Sequence, residues 1–238
     1  MKPSIFFVLA ATLLASQATA PEVEITAEPH HHLVFENKSV RVFNVEVDPN
    51  TETLPHAHRH DYISVSIGTA EVENNVKGKP PTTTKLSDGD VRFVSAPFTH
   101  FVRDVGAQPF RNVTTEIFED ESLRKSTAKW DANKNEDRGL EVLSNGTKQI
   151  LFVKDGIRAT EFELQPGGIV PPHHYSGPHL FVAVTDLDIL AAPRTAPPES
   201  LLPAHLKSGD SKWLPGNDSQ SITNTGPTSA KFVTLEFP

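Results

Sequence analysis

The 238-residue sequence predicts an all-β protein built as one small barrel written twice, and three observations carry that prediction. Apolar segments are short and alternate with polar residues, as in Val40-Arg41-Val42-Phe43-Asn44-Val45-Glu46-Val47 and Tyr62-Ile63-Ser64-Val65-Ser66-Ile67. Between such runs stand 20 prolines and 13 glycines, the punctuation of many turns rather than of helices. The third observation is a self-match: Pro55-His56-Ala57-His58 recurs 117 residues later as Pro172-His173-His174-Tyr175.

The repeat extends well beyond that cluster. At the same offset Val40 meets Ile157, Arg41 meets Arg158, Glu46 meets Glu163 and Pro49 meets Pro166. Further on the offset becomes 120, with Gly89-Asp90 on Gly209-Asp210, Phe93 on Trp213, Asp104 on Asn224 and Glu116 on Glu236. A three-residue insertion in the second copy between Asp186 and Lys207 reconciles the two offsets. That stretch holds Pro193, Pro197, Pro198 and Pro203, the composition of a surface loop that absorbs extra length.

In chain order, residues 1–20 read as a secretory signal, with Lys2 as the positive start, an apolar run from Ile5 to Leu14 and small residues after it. Cleavage after Ala18 or after Ala20 both fit, the latter leaving Pro21 first. The run is shorter than the ~20 residues a spanning helix requires, and no later segment is apolar enough, so a secreted or periplasmic protein without a membrane span is expected. The first barrel is placed at 27–118. Its Val40–Val47 run changes parity near Asn44, which predicts a bulge there if all four valines face one core. Residues 119–148 are charged, contain Trp130 and read as a linker with one helical turn. The second barrel is placed at 149–238, with strands at 157–164, 180–184 and 231–237.

Composition removes several function classes. There is no cysteine, hence no disulfide, thiolate ligand or cysteine nucleophile. A net charge of -8 without a Lys/Arg cluster argues against nucleic-acid binding. No phosphate-binding glycine loop and no nucleophile elbow is present. Asn-x-Ser/Thr triplets begin at Asn37, Asn112, Asn145 and Asn217, of consequence only in a pathway that glycosylates.

The chemistry is concentrated in the first copy. Residues two apart on a strand face one side, so His56 and His58 present two imidazoles to one point inside a barrel. Neutral imidazole suits iron, manganese, nickel, copper or zinc, and His100, beyond the Gly89-Asp90 turn and the strand after it, is the candidate third ligand. His60 shares their parity but sits at a turn, by comparison with Ser176-Gly177-Pro178, which places it at the barrel mouth. The Tyr62 phenol either orients a substrate or bound oxygen species as a catalytic group, or simply packs in the barrel. In the second copy His173 survives, Tyr175 replaces the second histidine and Gln220 the third, and His174 is expected to face out. His30-His31-His32 reads as an exposed or partly packed lead-in able to chelate only adventitiously.

These residues resemble the cupin superfamily, whose motifs are Gly-x5-His-x-His-x3,4-Glu-x6-Gly and Gly-x5-Pro-x-Gly-x2-His-x3-Asn. His56, His58 and His100 fall on the three histidine positions, Gly89 on the second motif's glycine and Asp104 where Asn is usual. Tyr62 or Ile63 stands at the Glu position, Ser95 and Pro97 replace the Pro and Gly, and Asn50 lies near the missing first Gly. The resemblance covers nearly the whole mature chain and implies a bicupin, two tandem jelly-roll (double-stranded β-helix) barrels with the second site degenerate. It further implies a divalent transition metal held by His56, His58 and His100 without the Glu, as in cupin-type thiol and diketone dioxygenases, with coordination positions left for substrate and dioxygen. A small-molecule ligand or substrate and a homodimer are the implied partners. Three functions stay open on sequence: a metal-dependent, dioxygenase-type enzyme, a non-catalytic small-ligand binder, and a structural bicupin.

Overall fold

In the computed structural model the chain is described over residues 21–118, 139–192, 201–216 and 218–238. The expected signal segment, the 119–138 part of the expected linker with Trp130, and Pro193, Pro197 and Pro198 lie outside the described residues. The described chain is all-β, with one turn of 3-10 helix at Ile25–Ala27. No helix in it is long and apolar enough to cross a membrane.

The first half folds as two five-stranded sheets facing each other. One runs β1(Val23–Glu24), β4(His56–His58), β9(Phe98–Asp104), β6(Ala70–Val76), β7(Thr82–Leu86); the other runs β2(His31–Glu36), β3(Val40–Val47), β10(Phe110–Ile117), β5(Tyr62–Ile67), β8(Val91–Val94). The second half repeats these pairings in one eight-stranded curled sheet: β11(Leu140–Lys154), β12(Ile157–Tyr175), β13(His179–Ala183), β14(Leu187–Ala192), β15(His205–Leu206), β16(Ser211–Leu214), β17(Asp218–Asn224) and β18(Ala230–Glu236). The sheet is single because the 19-residue β12 joins what β3 and β4 do separately, its first part pairing with β18 and its last with β17.

Registers coincide residue for residue under the two sequence offsets. Phe110 opposes Val47 as Ala230 opposes Leu164, Tyr62 opposes Val94 as His179 opposes Leu214, and His56 opposes His100 as His173 opposes Gln220. Ala70 opposes Leu86 as Leu187 opposes Leu206, so the inserted residues fall between β14 and β15. Turn chemistry recurs as well. Gly89 and Gly209 both take positive φ (86° and 95°), and Asn50 at φ 63° occupies the left-handed conformation that its counterpart Gly167 takes at φ 74°. Asn tolerates that region where a branched residue would not, so the missing motif glycine is replaced without loss of the turn. Asp104 accepts backbone hydrogen bonds from Gly106 and Phe110, and Asn224 accepts one from Gly226, which closes the same turn in each half.

Two expectations about strands are corrected. β3 carries no bulge; its pairing with β10 runs unbroken from Val40 to Val47, and the register shift lies instead in β2, between Leu33 and Phe35. The strand can be regular because both of its faces are buried. Val40 and Val42 join a cluster shared with Ile157, Leu180, Val182, Val233 and Leu235 of the second half, whereas Phe43, Val45 and Val47 fill the first half's interior with Ile25 and Val102. β11 begins at Leu140, inside the stretch read as linker to 148, and pairs with β12 from Ser144 to Lys154. The second half contains an apolar cluster in which Phe162 and Phe181 each stack on Phe232 at ring distances of 4.9 and 4.6 Å.

Candidate metal centre

β4 is three residues long and entirely buried, with His56 and His58 on the side that faces the barrel interior. β9 lies antiparallel beside it and sets His100 directly opposite His56. The three side chains that the sequence singles out therefore converge: His100 Nε2 lies 3.1 Å from His56 Nε2 and 3.1 Å from His58 Nε2. They line a cavity of about 330 Å³ together with Tyr62, Ser64, Asn112 and Phe98.

The outer nitrogens decide what those contacts mean. His56 Nδ1 donates to the Leu54 carbonyl at 2.8 Å, and His100 Nδ1 is 2.8 Å from Asn74 Oδ1. An oxygen atom stands beside each Nδ1, so a neutral ring that donates there leaves its Nε2 unprotonated, and in that tautomer the two Nε2 atoms face each other with unshared electron pairs. Two lone pairs at 3.1 Å cannot form a hydrogen bond. A cation between them turns the repulsion into ligation, and holding the distal nitrogen on an oxygen is how proteins orient metal-bound imidazole.

Electrostatics keeps these rings neutral. Burial, with His31 nearby, lowers the His56 pKa to about 4; burial and the neighbouring His56 lower that of His100 to about 3. Burial pushes His58 down as well, with His100 and His56 adding to it. His58 Nδ1 makes no hydrogen bond and lies 3.9 Å from Glu116 Oε1. Glu116 is buried, which raises its pKa, and Arg41 pairs with it and opposes that rise.

Tyr62 opens β5, faces the cavity and stacks on the His58 ring at 4.4 Å, while its neighbour Ile63 faces the second half; Tyr62 is thus the residue at the expected Glu position. Burial and the Glu116 charge raise its pKa, so the phenol stays protonated. His60 lies outside the cluster, edge-on to Phe118 at 4.9 Å.

The second half keeps the frame without the histidine triad. His173 opposes Gln220, and Tyr175 stacks on His179 at 3.8 Å, the pair His58/Tyr62 with its two residue types exchanged. The Arg41–Glu116 pair recurs as Arg158–Glu236, and Arg158 also reaches His173 Nε2 at 3.4 Å. His174 is exposed, as its alternation required.

His31 takes the packed alternative of the lead-in reading and goes further: its side chain is only 6% exposed, and His31, His56 and His58 bring one ring nitrogen each within 4.8 Å of one another. Two triads thus overlap on His56 and His58. A signal for this lay three residues upstream, in Glu28, whose buried carboxylate receives His31 Nδ1 at 2.6 Å and His30 Nδ1 at 2.9 Å. Burial opposes its ionisation, but those hydrogen bonds outweigh burial and bring its pKa down to about 2.

The sequence matches no family model and no curated protein. Similar solved structures are cupins. Oxalate decarboxylase of Lactobacillus farciminis is 16% identical with a TM-score of 0.56, covering 87% of this chain and 83% of that one. A salicylate 1,2-dioxygenase from Pseudaminobacter salicylatoxidans is 12% identical at TM-score 0.55, covering 86% and 75%. A cupin 2 conserved barrel domain protein from Leptotrichia buccalis is 11% identical at TM-score 0.50, covering 87% and 88%. At such identities the likeness is one of fold, and the fold is that of cupins.

Proposed function

We propose that this chain is a secreted or periplasmic bicupin, with a first barrel at 27–118 and a second formed by β11 to β18, whose first barrel holds a divalent transition metal through His56, His58 and His100 and acts on a small organic substrate by dioxygenase-type chemistry. The observation that carries the reading is the approach of His56 Nε2 and His100 Nε2 to 3.1 Å, with an oxygen atom 2.8 Å from the far nitrogen of each ring. The donor set fits iron, manganese, nickel, copper or zinc, since neutral nitrogen ligands without carboxylate do not suit magnesium or calcium. A metal bound there supplies Lewis acidity or redox capacity with positions open to substrate.

The chain's own residues do the rest. The three imidazoles stay neutral because burial disfavours their protonation. The protonated Tyr62 hydroxyl donates a hydrogen bond to a substrate oxygen in the cavity, and the stacked Phe98 and Tyr62 rings hold His58 in place. A volume of about 330 Å³ suits a small organic molecule rather than a polymer. The second barrel, with its cluster of stacked phenylalanine rings, serves as a scaffold.

The test is elemental analysis of protein purified without an affinity tag. Stoichiometric metal that is lost in His56→Ala and His100→Ala and retained in His173→Ala supports the reading; protein without metal from every growth condition overturns it. Oxygen uptake with a panel of carboxylates, thiols and phenols then separates enzyme from ligand binder, and Tyr62→Phe should lower turnover while leaving the metal bound.

A further inference from the structure

The segment preceding the first barrel forms an edge strap beside the candidate metal centre. β1 pairs in parallel with β4, Val23 opposite His56 and Glu24 opposite Ala57, so the N-terminal strap runs alongside the strand that carries two of the imidazoles. Ile25, in the 3-10 turn that follows, is buried in the first half's interior. The strap then brings Glu28 and His31 to the edge of the histidine cluster.

We infer that His31 is a fourth metal ligand and Glu28 the positioning residue that aims it, an inference that rests on His56, His58 and His100 being a metal site. Three observations support it. The His31 ring lies 4.6 Å from that of His56 and 6.4 Å from that of His58, on the side of His56 that the strap covers. Its Nδ1 is taken by Glu28 Oε2 at 2.6 Å, so the nitrogen it has left to offer is Nε2. And Glu28 is a fully buried carboxylate that, among the described residues, has no partner of fixed positive charge. It is satisfied by His31, by the backbone and ring nitrogens of His30, and by the Leu54 backbone N–H, the same Leu54 whose carbonyl fixes His56.

A carboxylate hydrogen-bonded to the distal nitrogen of an imidazole fixes its tautomer, orients the ring and raises its basicity as a ligand. It also offsets part of a dication's charge, which four neutral nitrogens do not. His32, the next residue, is exposed, so the assignment is specific to one member of the histidine run. Four nitrogen ligands would leave at most two open positions on a six-coordinate ion and would tie the strap's order to metal binding.

The experiment uses the full mature chain loaded with Zn(II) or Cu(II). X-ray absorption at the metal edge counts the imidazoles: four are expected in the unmutated protein and three in His31→Ala. Glu28→Gln, which preserves shape and removes the charge, should weaken metal affinity about 10- to 100-fold, and His32→Ala should change nothing. Proteolysis of the 21–31 strap should slow on metal addition in the unmutated protein but not in His31→Ala. A count of three imidazoles in the unmutated protein, with affinity unchanged in His31→Ala, overturns the inference and leaves the three-histidine site standing. Failure of the unmutated protein to bind either ion at all sinks the underlying site instead.

Discussion

Stripping the metal should make the stability of this protein sensitive to mild acid, and His56 sets the scale. Its pKa falls from an ordinary 6.5 to about 4 in the folded state, chiefly because it is buried. The unfolded chain therefore binds more protons below pH 6.5, and the contribution of His56 is complete above that pH and is lost progressively as pH falls towards 4. Between pH 7 and pH 5 the loss from this one group is about 2 kcal/mol, with a limit of about 3 kcal/mol below its folded pKa. His100, lowered to about 3, acts in the same direction, although the two rings titrate as a coupled pair and their losses do not add. Glu116 and Glu236, both raised by burial, work the other way and partly mask the effect. The discriminating quantity is thus the difference between the parent protein and His56→Gln, each freed of metal by chelator and unfolded in urea at pH 7 and pH 5. The parent should lose about 2 kcal/mol more over that interval than the variant, at unchanged m-value. Equal losses in the two proteins would refute the claim that burial holds this imidazole neutral.

Two further outcomes follow from the fold. Leu235 is completely buried in the cluster shared by the two halves, so Leu235→Ala should cost about 3 kcal/mol and shift one cooperative transition, and calorimetry showing two transitions with only one displaced would contradict the shared core. Asn50→Gly should leave stability within about 0.5 kcal/mol while Asn50→Ala loses about 1 kcal/mol, because only the alanine is strained at φ 63°; chemical denaturation of both variants checks the ordering.

Much of the architecture was legible because strand chemistry is local. Alternation, turn residues and a two-offset repeat are properties of the linear chain, and the pairing registers follow the same offsets residue for residue. The nearness of His31 to the histidine cluster was not legible, for the opposite reason. Whether His31, at the start of β2, turns to solvent or to the histidine cluster depends on the strap docking parallel to β4, a contact spanning about thirty residues that leaves no periodicity behind. The condition for a bulge in β3, all four valines facing one core, is not met for a related reason. Alternation reports which residues share a face, and it is silent on whether the opposite face is solvent or another sheet.

By itself, then, the sequence determined an all-β chain, its internal repeat, and three histidines able to meet, since strand parity and cross-strand spacing are set by covalent geometry. Tertiary structure alone decided that His56 Nε2 and His100 Nε2 approach to 3.1 Å, that Ile63 rather than Tyr62 turns to the second half, and that Glu28 and His31 come up against the same cluster. Those outcomes depend on which buried faces are brought together, and burial is a property of the packed whole that no single segment encodes.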